Sequence, residues 1–402
     1  MRSRWLWCIS LLFVAWLVWA ETSFQFYEHG LGRELQLPAS QVSLIASSFL
    51  LPYGLLQVPV GRWLDQGRLD RWLWGAALLA AGFSVAFASS TTLVGLMLSR
   101  FGIGVACAVA FPASALLAKR TLPESRFPLA MGLTDSLLGW GAAFSAIVPM
   151  LLPAVVWRQL VMLQAVLVAA LVALPVLLLA EGRRHSSSSL TSSPAAQSPA
   201  AESEGWTRAA LGRVFQACLL YAWGGGVVFG LAQYGLISGL RGWSGGGMQW
   251  MTLTMSLGIG VGMLVAGWLG SRPSRRGKVL LLGTGLNVVA LLCLVLLPDQ
   301  STLLLFAAAL SLGLGLGASV LAFPLAEDAA PRGQTAFTVA TVNTTGTVTG
   351  GVMAVVSGQI LQASAPGNLT SVLVVYGLLA LFGMAVATWV EVTLKPTLKP
   401  TR

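Results

Sequence analysis

Charged side chains make up only 9% of this 402-residue sequence, 24 basic and 14 acidic, where a soluble protein carries about 25%. A chain this poor in charge cannot dress its own surface for water. With 56% apolar residues and a mean hydropathy of +0.78, it takes a lipid bilayer as its outer solvent. Disorder, which needs high charge and low hydrophobicity, is excluded except locally. Histidine is almost absent: His29 and His185 are the only two, so a metal-ligand cluster or a His-based catalytic triad has no material. The four cysteines, Cys8, Cys107, Cys218 and Cys293, lie scattered in apolar runs without CxxC spacing, which excludes a disulfide scaffold. The glycine runs sit inside apolar stretches with no Walker lysine, so a nucleotide-binding loop is missing. These absences predict no metal, no cofactor and no enzyme activity.

What the chain has in abundance is long apolar runs. A helix needs roughly 20 apolar residues to cross the hydrocarbon layer, and twelve runs meet or approach this: 5–27, 41–64, 72–90, 93–118, 129–152, 158–180, 212–238, 247–270, 278–297, 302–325, 336–362 and 371–393. The predicted fold class is therefore an all-α integral membrane protein with 12 transmembrane helices. The net charge of +10 would fit a nucleic-acid binder only if the basic residues gathered on one soluble face. They fall instead in short turns. With the N-terminus inside, twenty of the 24 basic residues lie on the cytoplasmic side, and Arg33, Arg100, Arg158 and Arg241 are the remainder. That asymmetry puts both termini in the cytoplasm. A rival reading takes Arg2, Arg4 and the run ending Val18-Trp19-Ala20 as a cleavable signal peptide, which would leave eleven spans.

Between spans six and seven lies SSSSLTSSPAAQSPAAESEG, the only low-complexity segment, poor in bulky residues and unable to bury a core. It divides the chain into a six-helix unit at 1–180, a flexible cytoplasmic linker at 181–211, a second six-helix unit at 212–393 and a cytoplasmic tail at 394–402. The halves echo each other at a displacement of about 208 residues. Asp135 in span five then meets Asn343 in span eleven, and Phe111-Pro112 near the end of span four finds Phe323-Pro324 near the end of span ten once a small gap is allowed.

The loop after span two is more specific than hydropathy. It reads Gly61-Arg-Trp-Leu-Asp65-Gln-Gly67-Arg68-Leu-Asp70-Arg71 and resembles the signature G-x-x-x-D-R/K-x-G-R-R/K of the major facilitator superfamily, with Gly67, Arg68 and Arg71 displaced by a residue. Arg100-Phe-Gly-Ile-Gly104 is similar to the family's R-x-x-x-G, and Tyr53-x3-Gln57-x-Pro59-x-Gly61 and Trp157-Arg158-Gln159 add to the likeness. The nearest branches in look are bacterial anion/cation symporters, the nitrate- and organic-acid-type permeases. The resemblance implies two parallel six-helix repeats in the inner membrane of a bacterium. It also implies a latch in which Gly61, Asp65, Arg68 and Arg71 hold the first turn of span eleven, near Thr335, in the outward-open state. Independently of the family, a glycine at a helix end allows close approach and a carboxylate suits a helix N-terminus. The plainer reading is a basic turn that obeys the positive-inside rule.

Charges inside spans are costly and functional by default, and three stand out: Glu21, Arg100 and Asp135. Glu21 and Arg100 fall at similar depth, so they form either a switch, in which Arg100 binds an anionic solute and Glu21 takes up a proton, or a static ion pair. Asp135 carries the coupling proton or packs against Lys119, Arg120 or helix-end donors. Gln25, one turn beyond Glu21, and Tyr221, Trp223, Gln233 and Tyr234 in span seven complete a candidate cavity or serve helix packing.

Span eight carries no charge and Arg62 stands at a helix end, a departure from nitrate-type members. Span five meets the antiporter pattern G-x8-G-x3-G-P-x2-G-G only at Gly132 and Gly141. The expected function is proton-coupled uptake of a small organic solute, anionic in character, by a monomer with no nucleic-acid partner. The alternatives are proton-coupled efflux of a hydrophobic or siderophore-like compound, and a non-transporting sensor or assembly factor on the same scaffold.

Overall fold

A computed structural model of the chain describes residues 2–151, 156–187, 205–228, 246–296, 302–363 and 370–394. Eleven described helices are long and apolar enough to cross a membrane: α1 (Ser3–Glu28), α2 (Leu44–Gln66), α3 (Leu69–Ser89), α4 (Leu93–Thr121), α5 (Glu124–Val148), α6 (Trp157–Ala180), α8 (Trp250–Leu269), α9 (Pro273–Leu294), α10 (Thr302–Glu327), α11 (Thr335–Ser357) and α12 (Ser371–Leu394). Between α6 and α8 lies α7 (Arg208–Val227), which runs up to the edge of the described residues. The outward part of expected span seven, with Gln233 and Tyr234, lies outside them, as does most of the Ser/Ala/Pro segment.

Large apolar side chains cover the outside: Leu282 is 74% exposed and Leu303 82%. In water such faces would aggregate; in lipid they are the proper surface. The interior is close-packed through small residues, because helices in a membrane associate by packing and hydrogen bonds.

The internal repeat is visible in the breaks. In α4 the helical segment Leu93–Cys107 ends and a second begins at Ala110. In α10 a tighter turn, Gly317–Leu321, separates Thr302–Leu316 from Ala322–Glu327. Just past these breaks the Phe111 and Phe323 rings meet, with centroids 5.2 Å apart.

Two seams join the halves. In one, α2 meets α11: a Cβ on Gly61 would lie 2.6 Å from the Ala336 carbonyl oxygen and 2.9 Å from Ala340 Cβ. In the other, α5 meets α8: a Cβ on Gly267 would lie 2.6 Å from the Pro128 carbonyl oxygen and 2.9 Å from Gly132 Cα. Pro128 and Gly132 stand 208 positions before Ala336 and Ala340, so the same close approach is built twice from equivalent residues. Only glycine permits backbones this near.

Candidate functional site

Arg100 is buried in α4 beside α1, but its partners are main-chain atoms. Its Nη1 donates to the Ala20 carbonyl (2.9 Å) and Nη2 to the Glu21 carbonyl (3.3 Å). These carbonyls lie where α1 passes from the segment Arg2–Thr22 to Phe24–Glu34. The guanidinium also sits over Phe24 (4.8 Å to the ring centroid), Phe49 (5.0 Å) and Phe87 (5.9 Å). Carbonyl dipoles and aromatic faces both stabilise a cation held away from water.

No ion pair joins the Glu21 carboxylate to Arg100 among the described residues. Glu21 is 9% exposed, and its Oε1 has no hydrogen-bond partner there. The same holds for both amide atoms of Gln25 and for Arg100 Nε. A buried polar atom without a partner is expensive and asks for an explanation. Here Glu21, Gln25 and Arg100 bring such atoms to one stretch of α1.

Asp135, fully buried in α5, accepts hydrogen bonds from the Tyr221 hydroxyl of α7 at 3.0 Å (Oδ1) and 3.2 Å (Oδ2). Tyr221 is thus occupied by a carboxylate of the opposite half. Its ring packs on Phe323, with centroids 4.6 Å apart. Lys119, one of the partners expected for Asp135, goes elsewhere: its Nζ reaches Glu124 (3.1 Å) and Glu327 (3.2 Å). On the other seam Asn343 Nδ2 donates to Gln57 Oε1 (2.7 Å) and to the Tyr53 hydroxyl oxygen (3.4 Å). Thr344 donates to the Gly54 carbonyl (2.9 Å).

At the end rich in Arg and Lys, Asp65 accepts from the first turn of α11, with Ala336 N–H on Oδ1 and Phe337 N–H on Oδ2, both at 2.9 Å. Arg68 pairs within its own turn with Asp70 (3.1 Å), and Arg71 is exposed. Trp206, just ahead of α7, donates to Gln334 Oε1 (3.1 Å) and meets Phe337 edge-on. Arg276 of α9 pairs with Asp328.

The opposite end has a knot that sequence reading did not single out. Glu34 accepts from Trp157 Nε1 (2.5 Å) and Arg158 Nε (2.8 Å), while Arg158 also donates to the carbonyls of Ala88 and Ser90. The Arg158 and Trp157 hydrogen bonds hold the Glu34 carboxyl below the usual carboxylate range. The likeness of Trp157-Arg158-Gln159 to the family was its only signal.

Two six-helix repeats meeting along glycine seams, with ionisable groups buried between them, define a membrane transporter. The sequence profile of the Major Facilitator Superfamily matches residues 8–241 and again 214–402, and the chain belongs to that superfamily. Among solved structures it is similar to that of an asparagine-to-alanine variant of the E. coli fucose:proton symporter, FucP. The TM-score is 0.64 at 17% sequence identity, over 95% of this chain and 97% of that chain. At that identity the likeness is one of fold. No curated protein matches the chain in sequence.

Proposed function

We propose that this transporter carries a small organic solute into the cell by alternating access, coupled to protons, across the inner membrane of a bacterium. The observation that carries the reading is the unpartnered polar run beside α1: Glu21 Oε1, both amide atoms of Gln25, and Arg100 Nε. An anionic group on the solute fits the free Nε edge of Arg100, whose other nitrogens are engaged. Gln25 offers a donor and an acceptor. Glu21 and Asp135, both buried and, among the described residues, without a cation within ion-pair distance, are the groups that take up and release the coupling proton. FucP, of similar fold, is a fucose:proton symporter, which supports the coupling by analogy.

In this reading the Arg/Lys-rich end faces the cytoplasm, with both chain termini there, as the distribution of positive charge favours. Asp65 on α11, the Lys119–Glu327 pair and the Phe111–Phe323 contact close that end, and Asp65 with Gly61 forms the latch. Arg68 and Arg71 support the turn around it, and the protein acts as a monomer. A thermal-shift screen of organic acids, polyols and peptides selects the solute. Uptake of the selected solute into proteoliposomes under an imposed pH gradient then tests the reading. Gradient-driven uptake is expected; binding without flux at any gradient would point to a non-transporting scaffold.

A further inference from the structure

Asp135 and Asn343 occupy equivalent places, 208 positions apart, in the two repeats. Each reaches a tyrosine hydroxyl on the opposite half: Asp135 on α5 to Tyr221 on α7, and Asn343 on α11 to Tyr53 on α2. The two links differ in chemistry. Asn343 is an amide whose charge never changes, and it is held by Gln57 at 2.7 Å as well as by Tyr53. Asp135 is a carboxyl whose hydrogen-bond partners, among the described residues, are the one hydroxyl.

A hydrogen bond from a phenol to a carboxylate is charge-assisted and about twice as strong as one between neutral groups. Protonating the carboxyl removes that assistance. The Asp135–Tyr221 contact therefore changes strength with the proton, while the Asn343 contact does not. We propose that Tyr221 is the positioning residue that ties the protonation of Asp135 to the contact between the two halves, with Asn343 as the permanent counterpart across the other seam. This rests on the reading of Asp135 as a proton-carrying group.

The surroundings leave Tyr221 as the direct lever. From α2, Tyr53 lies within electrostatic reach of Asp135. The facing helix α8 carries no ionisable side chain. From α4 the ionisable groups are Arg100, engaged with α1, Cys107, and Lys119 and Arg120 at the basic end, where Arg120 lies within electrostatic reach of Asp65. Glu327 of α10 pairs with that Lys119, and Glu21 of α1 lies toward the far end.

The test needs no solute. Nitroxide-bearing unnatural amino acids at the exposed positions of Arg126 and Arg332, one on each half, report opening of the basic end in the full-length protein in lipid. Distances between the labels are measured across pH 5 to 9. The wild type is expected to show a pH-dependent shift between closed and open populations. Tyr221→Phe keeps the ring on Phe323 and removes only the hydroxyl. Loss of a hydrogen bond that favours the charged carboxylate is expected to move the midpoint of that shift to higher pH, by about one unit. Asp135→Asn is expected to flatten the profile. A Tyr221→Phe midpoint equal to wild type, with Asp135→Asn flat, would overturn the role of Tyr221. An Asp135→Asn profile that still follows the wild type would instead overturn Asp135 as the proton group.

Discussion

Lys119 and Glu327, 208 positions apart in a chain whose halves repeat at that displacement, meet as an ion pair at 3.2 Å between the ends of α4 and α10. The two members are not equally replaceable. Lys119 has a second partner in Glu124, whereas Glu327, with a side chain only 8% exposed, falls back on the Thr335 hydroxyl at 3.3 Å. Removing the lysine strands a buried charge. Lys119→Met is therefore expected to cost about 2 kcal/mol and Glu327→Gln less. Thermal melting of the purified single variants and of the double variant checks the order, and equal losses would contradict it.

The glycine seams make a steric prediction. Gly61→Val places atoms where the Ala336 carbonyl already sits, so α2 must move off α11 at a cost of about 1–3 kcal/mol. Gly267→Val should do the same between α5 and α8. Gly75→Ala, with nothing within 4 Å of its added Cβ, is expected to leave melting and uptake unchanged. A Gly61→Val protein that melts with the wild type would show that the seam yields freely.

Asp65 meets two main-chain N–H groups at the N-terminus of α11, where the helix dipole favours an anion. Asp65→Asn keeps one acceptor oxygen and loses the charge, at a cost of about 1 kcal/mol. The expected outcome is a larger open population at the basic end, read from the same pair of labels. An unchanged distance distribution would remove the latch from the account.

Glu34 makes a prediction about pH. Its proton affinity is lowered in the folded protein by Arg158 and Trp157. Its contribution to stability is therefore full at neutral pH and is lost as pH falls through the carboxylate range. Between pH 7 and pH 4 the melting temperature of the wild type should fall further than that of Glu34→Gln. Parallel falls would show that the knot contributes nothing.

How much of this could be read from sequence depended on the range of each contact. The spans were legible because hydrophobic length is a local property, and α1 to α12 follow the expected order. The place of Asp65 at the first turn of α11 was legible through the likeness of its loop to the family signature, while the residues alone said only that a carboxylate suits a helix N-terminus. Depth along α1 and α4 correctly brought Arg100 beside Glu21. It did not tell which atoms of α1 the guanidinium would meet, and those are main-chain carbonyls near Ser23. For Tyr221 the sequence left a cavity role and a packing role open; its bond to Asp135 could not be read there, since a contact between halves depends on how two bundles sit together.

The central claim is proton-coupled uptake through buried carboxyls, and one measurement bears on it most directly. Proteoliposomes with an alkaline interior are loaded with the solute selected by thermal shift, and accumulation against its gradient is followed for wild type, Glu21→Gln and Asp135→Asn. The account predicts uphill accumulation by the wild type that collapses with a protonophore, and loss of accumulation in each variant with solute binding retained in Asp135→Asn. Wild-type accumulation that ignores the protonophore, or two variants that accumulate as well as the wild type, would contradict it.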